Sequence, residues 1–149
     1  MSPILGFHGE YRFLSNFWML GNPTIQEIDG ILLNYPSVEH AYQASKTLIL
    51  SERMVIANSY SPGIAKRNGR RVTCHADWDA VKIDTLRHFL QVKFQDPVLR
   101  QKLIDTQGRG LYEVNAHNDV FWGCDADLIG ESWLGQLLME LRDEILKSI

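Results

Sequence analysis

At 149 residues, 45% of them hydrophobic and 22% charged, the chain is long enough to close one substantial core and has the balance of a folded globular protein. Eighteen acidic side chains against fifteen basic ones leave a net charge of -3, which argues against a general nucleic-acid coat or a protein resting on anionic membranes. No apolar run approaches the roughly 20 residues of a membrane-spanning helix. The start, Met1 to Gly6, lacks a basic leader, and Cys74 and Cys124 match no metal or redox spacing. The expectation is one cytoplasmic domain over residues 1–149.

In chain order, residues Tyr11 to Tyr35 mix aromatics with Gly, Pro, Asn and Asp, and read as short strands and turns. Ile25-Gln26-Glu27-Ile28 and Ile31-Leu32-Leu33 flank Asp29-Gly30, a hairpin signal. Pro36-Ser37 then starts a helix expected from Val38 to Leu50, and a short one follows near Glu52 to Asn58. Ser61-Pro62 supplies an N-cap and an N1 proline for a segment ending at Gly69. Trp78, Val81, Thr85, Leu86, Phe89, Leu90 and Val92 recur at helical spacing before Pro97. Val98 to Asp105 reads as another helix, Leu111 to Val114 as a strand, and Ser132 to Lys147 as the last helix. The fold class is mainly α, with a small β-hairpin element towards the N-terminus.

Four clusters could carry chemistry. On the helix from Val38, Glu39, Gln43 and Lys46 fall on one stripe with Tyr42 at its edge, placing a carboxylate, an amide and an ammonium together. A solvated helix face is the plain alternative. Trp78 and Lys82, four apart, share a helix face and suit an aromatic base with a phosphate beside it; a core indole with a snorkelling lysine fits the same spacing. Asn118-Asp119 runs into Trp122-Gly123 in a loop that offers a second indole and a second carboxylate; Asp119 as a turn former and Trp122 as a lid on the core fit the same residues. Tyr11 to Trp18 alternates aromatics with small polar residues, as a wall for a planar ligand or as a strand packed inward. The basic run Lys66 to Arg71 suits a small anion, and a solvated basic turn fits it equally. His8, His40, His75, His88 and His117 show no paired ligand spacing, so neither a metal nor another cofactor is expected.

In order, these pieces resemble the NADAR or YbiA-like family. They are Phe13-Leu14-Ser15-Asn16-Phe17, Pro36 to Ala44 with Lys46, Ser61-Pro62 with Ala65-Lys66-Arg67 and Gly69-Arg70, Trp78 to Lys82, Lys93-Phe94, Leu111 with Glu113, Asn118-Asp119 with Trp122-Gly123, and Leu134 to Arg142. Two positions depart from the family pattern: Ser132, where Asn is usual, and Cys124, where a small or acidic residue is common. The resemblance implies a compact, mainly α domain of the YbiA-like type that cleaves N-glycosidic bonds on ribose. It implies as substrate a riboflavin-pathway aminopyrimidine ribosyl phosphate, or ADP-ribose carried on guanine, either free or within a modified nucleic acid, and no membrane partner.

The candidate catalytic carboxylates are Glu39 and Asp119, because a cationic ribose C1′ is stabilised by a fixed negative charge that can also activate water. The candidate substrate contacts are Phe13, Ser15, Asn16, Phe17, His40, Gln43, Lys46, Arg67, Trp78, Lys82, Trp122 and Gly123. A module that binds ADP-ribose or a nucleotide without cutting it would use the same lysines and indoles and have no need of Glu39.

Overall fold

The computed structural model describes residues 1–149 and shows a mainly α chain with two small two-stranded sheets. The chain divides into two compact units, one formed by Met1–Ser15 with Phe94–Ile149 and the other by Asn16–Lys93. No helix is long and apolar enough to cross a membrane.

In the Asn16–Lys93 unit, β2 (Thr24–Ile28) and β3 (Ile31–Tyr35) form the expected antiparallel hairpin, with Ile28 opposite Ile31. Asp29 and Gly30 both take positive φ, 52° and 81°, the conformation that a tight hairpin turn demands and that Gly adopts without steric cost. Four helices follow: α1 (Val38–Ala44), α2 (Leu50–Ala57), α3 (Pro62–Gly69) and α4 (Trp78–Lys93). Ser37 and Ser61 cap α1 and α3 as expected, accepting from the amides of His40 and Ile64. α1 packs against α2, α3 and α4, and all seven of its residues are buried.

The helix expected to reach Leu50 stops six residues earlier than read. Ser45 turns its hydroxyl back onto the Ala41 carbonyl at 2.7 Å, and the amides of Lys46 and Thr47 reach only three residues back, to Gln43 and Ala44. Thr47 Oγ1 then donates to Glu52 at 2.6 Å and accepts from the Ile49 amide, which opens α2.

In the other unit, β1 (Ile4–Leu5) pairs in parallel with β4 (Leu111–Tyr112). The segment Gly9–Leu14, read as strand or turn, is a 3₁₀ helix that buries Phe13 and Leu14. Asp96 caps α5 (Pro97–Ile104), accepting from the amides of Val98 and Leu99. The last helix, α6 (Trp133–Lys147), lies against β4 and α5. Gly135 permits that approach, because a Cβ there would overlap the Leu111 carbonyl. The buried Arg142 of α6 donates through Nη1 to the carbonyls of Thr106 and Arg109, each at 2.8 Å, and to Thr106 Oγ1 at 3.1 Å. It thereby satisfies backbone acceptors just past the end of α5.

Candidate active site

α1 is held at its start by a closed set of hydrogen bonds. His40 is fully buried; its Nε2 lies 2.9 Å from the Ser59 carbonyl and its Nδ1 lies 2.7 Å from Ser37 Oγ. A carbonyl only accepts, so Nε2 carries the hydrogen, and Nδ1 accepts from the Ser37 hydroxyl. Burial pushes the imidazole below its ordinary pKa, which agrees with this neutral form. The sequence placed His40 among the substrate contacts. With both nitrogens committed internally, it instead ties the start of α1 to Ser59.

Glu39 is 7% exposed, and its backbone amide donates to the Asn16 carbonyl at 3.0 Å. Gln43, one turn along α1 and also buried, donates from Nε2 to Glu39 Oε1 at 2.8 Å. The amide therefore faces a carboxylate, where the sequence had assigned it to substrate. Gln43 Oε1 and Asn16 Oδ1 are buried acceptors with no hydrogen-bond partner. Gly69 makes room for the Gln43 side chain, since a Cβ there would overlap Oε1.

Lys46 lies just beyond α1, in the turn, and its Nζ stands 5.8 Å from the centre of the Tyr42 ring. Burial pulls its ammonium below the ordinary lysine pKa; the negative charge of Glu39 opposes this, and the charges of Arg70 and Lys66 add to it. Three cations and one buried carboxylate thus share one electrostatic neighbourhood. A desolvated cation beside two like charges gains strongly from a phosphate, which supplies the missing negative charge. Aromatic side chains border it. Trp78 is buried and meets Tyr42 at a centroid distance of 5.1 Å and His75 at 5.9 Å. Phe17, 41% exposed, has Lys66 Nζ at 6.0 Å from its ring centre.

Other expected contacts fall differently. Trp78 and Lys82 share α4 as read, but Trp78 is a core residue and Lys82 pairs with the exposed Asp79 at 3.2 Å. Arg67 and Arg70 are both exposed, and the Lys46 ammonium feels Lys66 and Arg70 in place of Arg67. The sequence carried a signal for this pair: positions 66 and 70, four apart at the end of α3, lie on one face. An open groove of about 400 Å³, lined by Ser45, Arg53, His75, Thr85 and His88 among others, includes none of the expected site residues but adjoins Lys46 and Trp78 through Ser45 and His75.

The Met1–Ser15 and Phe94–Ile149 unit contains the remaining expected residues. Phe13 is buried, with Lys102 Nζ 5.5 Å from its ring centre, and Ser15 closes the 3₁₀ helix through its amide. Phe13 is therefore core in place of a ligand wall. Asp119 Oδ1 accepts from the amides of Phe121 at 3.2 Å and Trp122 at 2.9 Å, and its own amide donates to Asn115 Oδ1 at 3.3 Å. One carboxyl oxygen thus anchors a turn, which is the plain role for an Asp at this spacing. Trp122 is half-buried, with its ring 4.8 Å from Phe121. Gly123 is buried because the Glu113 carbonyl and Asn115 pass where a Cβ would stand, so backbone approach accounts for it.

The two departures from the family pattern meet in this loop. Ser132 is buried in the left-handed region (φ 46°, ψ 49°), accepts from the Glu113 amide at 3.2 Å, and hydrogen bonds to Cys124. Asn tolerates that backbone region better than Ser does. Burial raises the Cys124 thiol above its ordinary pKa, which disfavours the thiolate.

Known proteins share the sequence pattern and the fold of this chain. The NADAR domain matches residues 6–146. The N-glycosidase YbiA of Escherichia coli is 35% identical over 141 residues, covering 91% of this chain and 82% of that protein. The riboflavin biosynthesis protein PYRR of Zea mays is 32% identical over 161 residues; the match takes in 98% of this chain but spans only 26% of the maize protein. The solution structure of E. coli YbiA superposes with a TM-score of 0.80 at 32% identity, covering 99% of this chain and 86% of that one. The chain belongs to the NADAR family.

Proposed function

We propose that this chain is an N-glycosidase that hydrolyses the bond between a base and C1′ of a phosphorylated ribose. The coarse activity is supported by membership of the NADAR family and by relatives named N-glycosidase over most of their length. The observation that carries the finer reading is the buried Glu39 carboxylate, held by Gln43 at 2.8 Å in the same charge field as Lys46, Lys66 and Arg70.

As the C1′–N bond lengthens, its electron pair goes to the base nitrogen, and positive charge grows on C1′ and the ring oxygen. A fixed carboxylate stabilises that charge more than the neutral ground state, which lowers the barrier. Water adds its oxygen to C1′ and passes a proton to Glu39, the departing base nitrogen takes up one proton from solvent, and Glu39 returns its proton to solvent to restore the carboxylate. Lys46, Lys66 and Arg70 grip the phosphate and fix the sugar against the carboxylate, which converts binding into orientation. Tyr42 and Phe17 supply aromatic surface beside this grip.

For the base, the riboflavin-pathway aminopyrimidine ribosyl phosphate is the first candidate, supported by the name of the maize relative. ADP-ribose on guanine is the second, because the same three cations suit a diphosphate. Incubation of the purified chain with each substrate in ¹⁸O-water, followed by mass spectrometry, tests the reading. Free base and one ¹⁸O on the ribose C1 hydroxyl are expected. If neither base is released while both ligands bind, the chain is a binding module and the hydrolase reading is wrong.

A further inference from the structure

Resting on the role given to Glu39 above, we infer that Gln43 is a positioning residue, which holds the Glu39 carboxylate in its working orientation without touching the reacting atoms. The hydrogen bond from Nε2 to Glu39 Oε1 is 2.8 Å long, and both side chains are buried. A carboxylate can only accept, so the amide has one possible orientation, with nitrogen towards Glu39 and oxygen away from it. That orientation leaves Oε1 buried and without a partner, against the Cα of Gly69. An unpaired buried carbonyl destabilises a fold, and an apolar side chain of similar length would fill the space without that cost. The donor end explains why an amide stands here. Gly69 belongs to the same device, since a side chain on α3 at that point would drive the amide off the carboxylate. Outer-shell partners that orient a metal's ligands contribute roughly 10–100-fold when removed, and the same scale is expected for an amide that orients a catalytic carboxylate.

The test is steady-state kinetics on the ribosylaminopyrimidine phosphate with Gln43→Met, Gln43→Glu, Glu39→Gln, Glu39→Asp and the Glu39→Asp/Gln43→Met double variant. Each Gln43 substitution is expected to lower kcat roughly 10–100-fold with KM changed less than about threefold. Gln43→Glu retains the volume, so it gives the answer even where the Met variant folds poorly. In the Glu39→Asp background the carboxylate is drawn one methylene away from the amide, and Gln43→Met should then cost less than about threefold. Full multiplication of the two losses would show that Gln43 acts independently of Glu39 and would overturn the inference. Wild-type turnover by Glu39→Gln sinks the hydrolase reading itself. An inactive Glu39→Gln beside a fully active Gln43→Met sinks only the positioning role.

Discussion

Buried polar groups serve different ends around α6 and around α1, although each region leaves buried atoms without partners: Arg142 Nε in the first, Gln43 Oε1 and Asn16 Oδ1 in the second. Around α6, Arg142 gives one nitrogen to three acceptors of the segment just past α5, and Asp119 gives one oxygen to two amides of its own loop. These groups serve the backbone that surrounds them. Around α1, Gln43 and Asn16 keep buried oxygens without partners, and Lys46 is desolvated within reach of two like charges. Such an arrangement costs folding free energy and gains from a ligand that brings negative charge and hydrogen-bond donors. Around α6 the buried polar groups mainly answer backbone, and around α1 they leave acceptors and a desolvated cation that a ligand would complete.

The sharpest way to break this contrast is Arg142→Met. It strands the carbonyls of Thr106 and Arg109, so unfolding free energy should fall by about 2–4 kcal/mol while turnover per folded molecule stays unchanged. Denaturant unfolding alongside activity measurements checks both halves. Lys46→Ala should do the reverse: stability holds or rises, and KM for a phosphorylated substrate increases roughly tenfold or more, with little change for its dephosphorylated form. Equal losses on both substrates would mean that Lys46 does not read the phosphate.

Lys93 sharpens the comparison through pH. It is buried, and burial pushes its ammonium from 10.5 down to about 7. Between those values the unfolded chain binds a proton that the folded chain lacks, so this group makes stability rise as pH climbs from about 7 towards 10.5. Below about 7 the folded chain carries the buried charge and its cost in full. Thermal melts across that range should show the rise in wild type and lose it in Lys93→Met. The smallest effect is expected at Asp119. Asn keeps an oxygen for the amides of Phe121 and Trp122, so Asp119→Asn should shift stability by less than about 1 kcal/mol and leave kcat within about threefold. A loss of two orders of magnitude in kcat would restore Asp119 as a second catalytic carboxylate.

What the sequence made legible was local. Asp29-Gly30, Ser37 and Ser61 act through their own neighbours, and the hairpin and the caps stand where they were read. The early end of α1 was hidden because it depends on Ser45 and Thr47 side chains choosing backbone and Glu52 partners. At the site, the Glu39–Gln43 spacing was readable as one helix turn, whereas burial was not. His40, Phe13 and Gly123 look like ligand contacts in a motif, yet each is consumed by packing from distant segments: Ser59 for His40, Lys102 for Phe13, Glu113 for Gly123. Choosing Lys66 and Arg70 over Arg67 required knowing which face of α3 turns towards Lys46.

The most direct measurement of the central claim pairs turnover with binding for Glu39→Gln. Single-turnover base release should fall by two orders of magnitude or more, while calorimetry on the intact ribosylaminopyrimidine phosphate gives an affinity within about threefold of wild type. Near wild-type release by that variant would contradict the account, because the cationic sugar would then need no charge from α1.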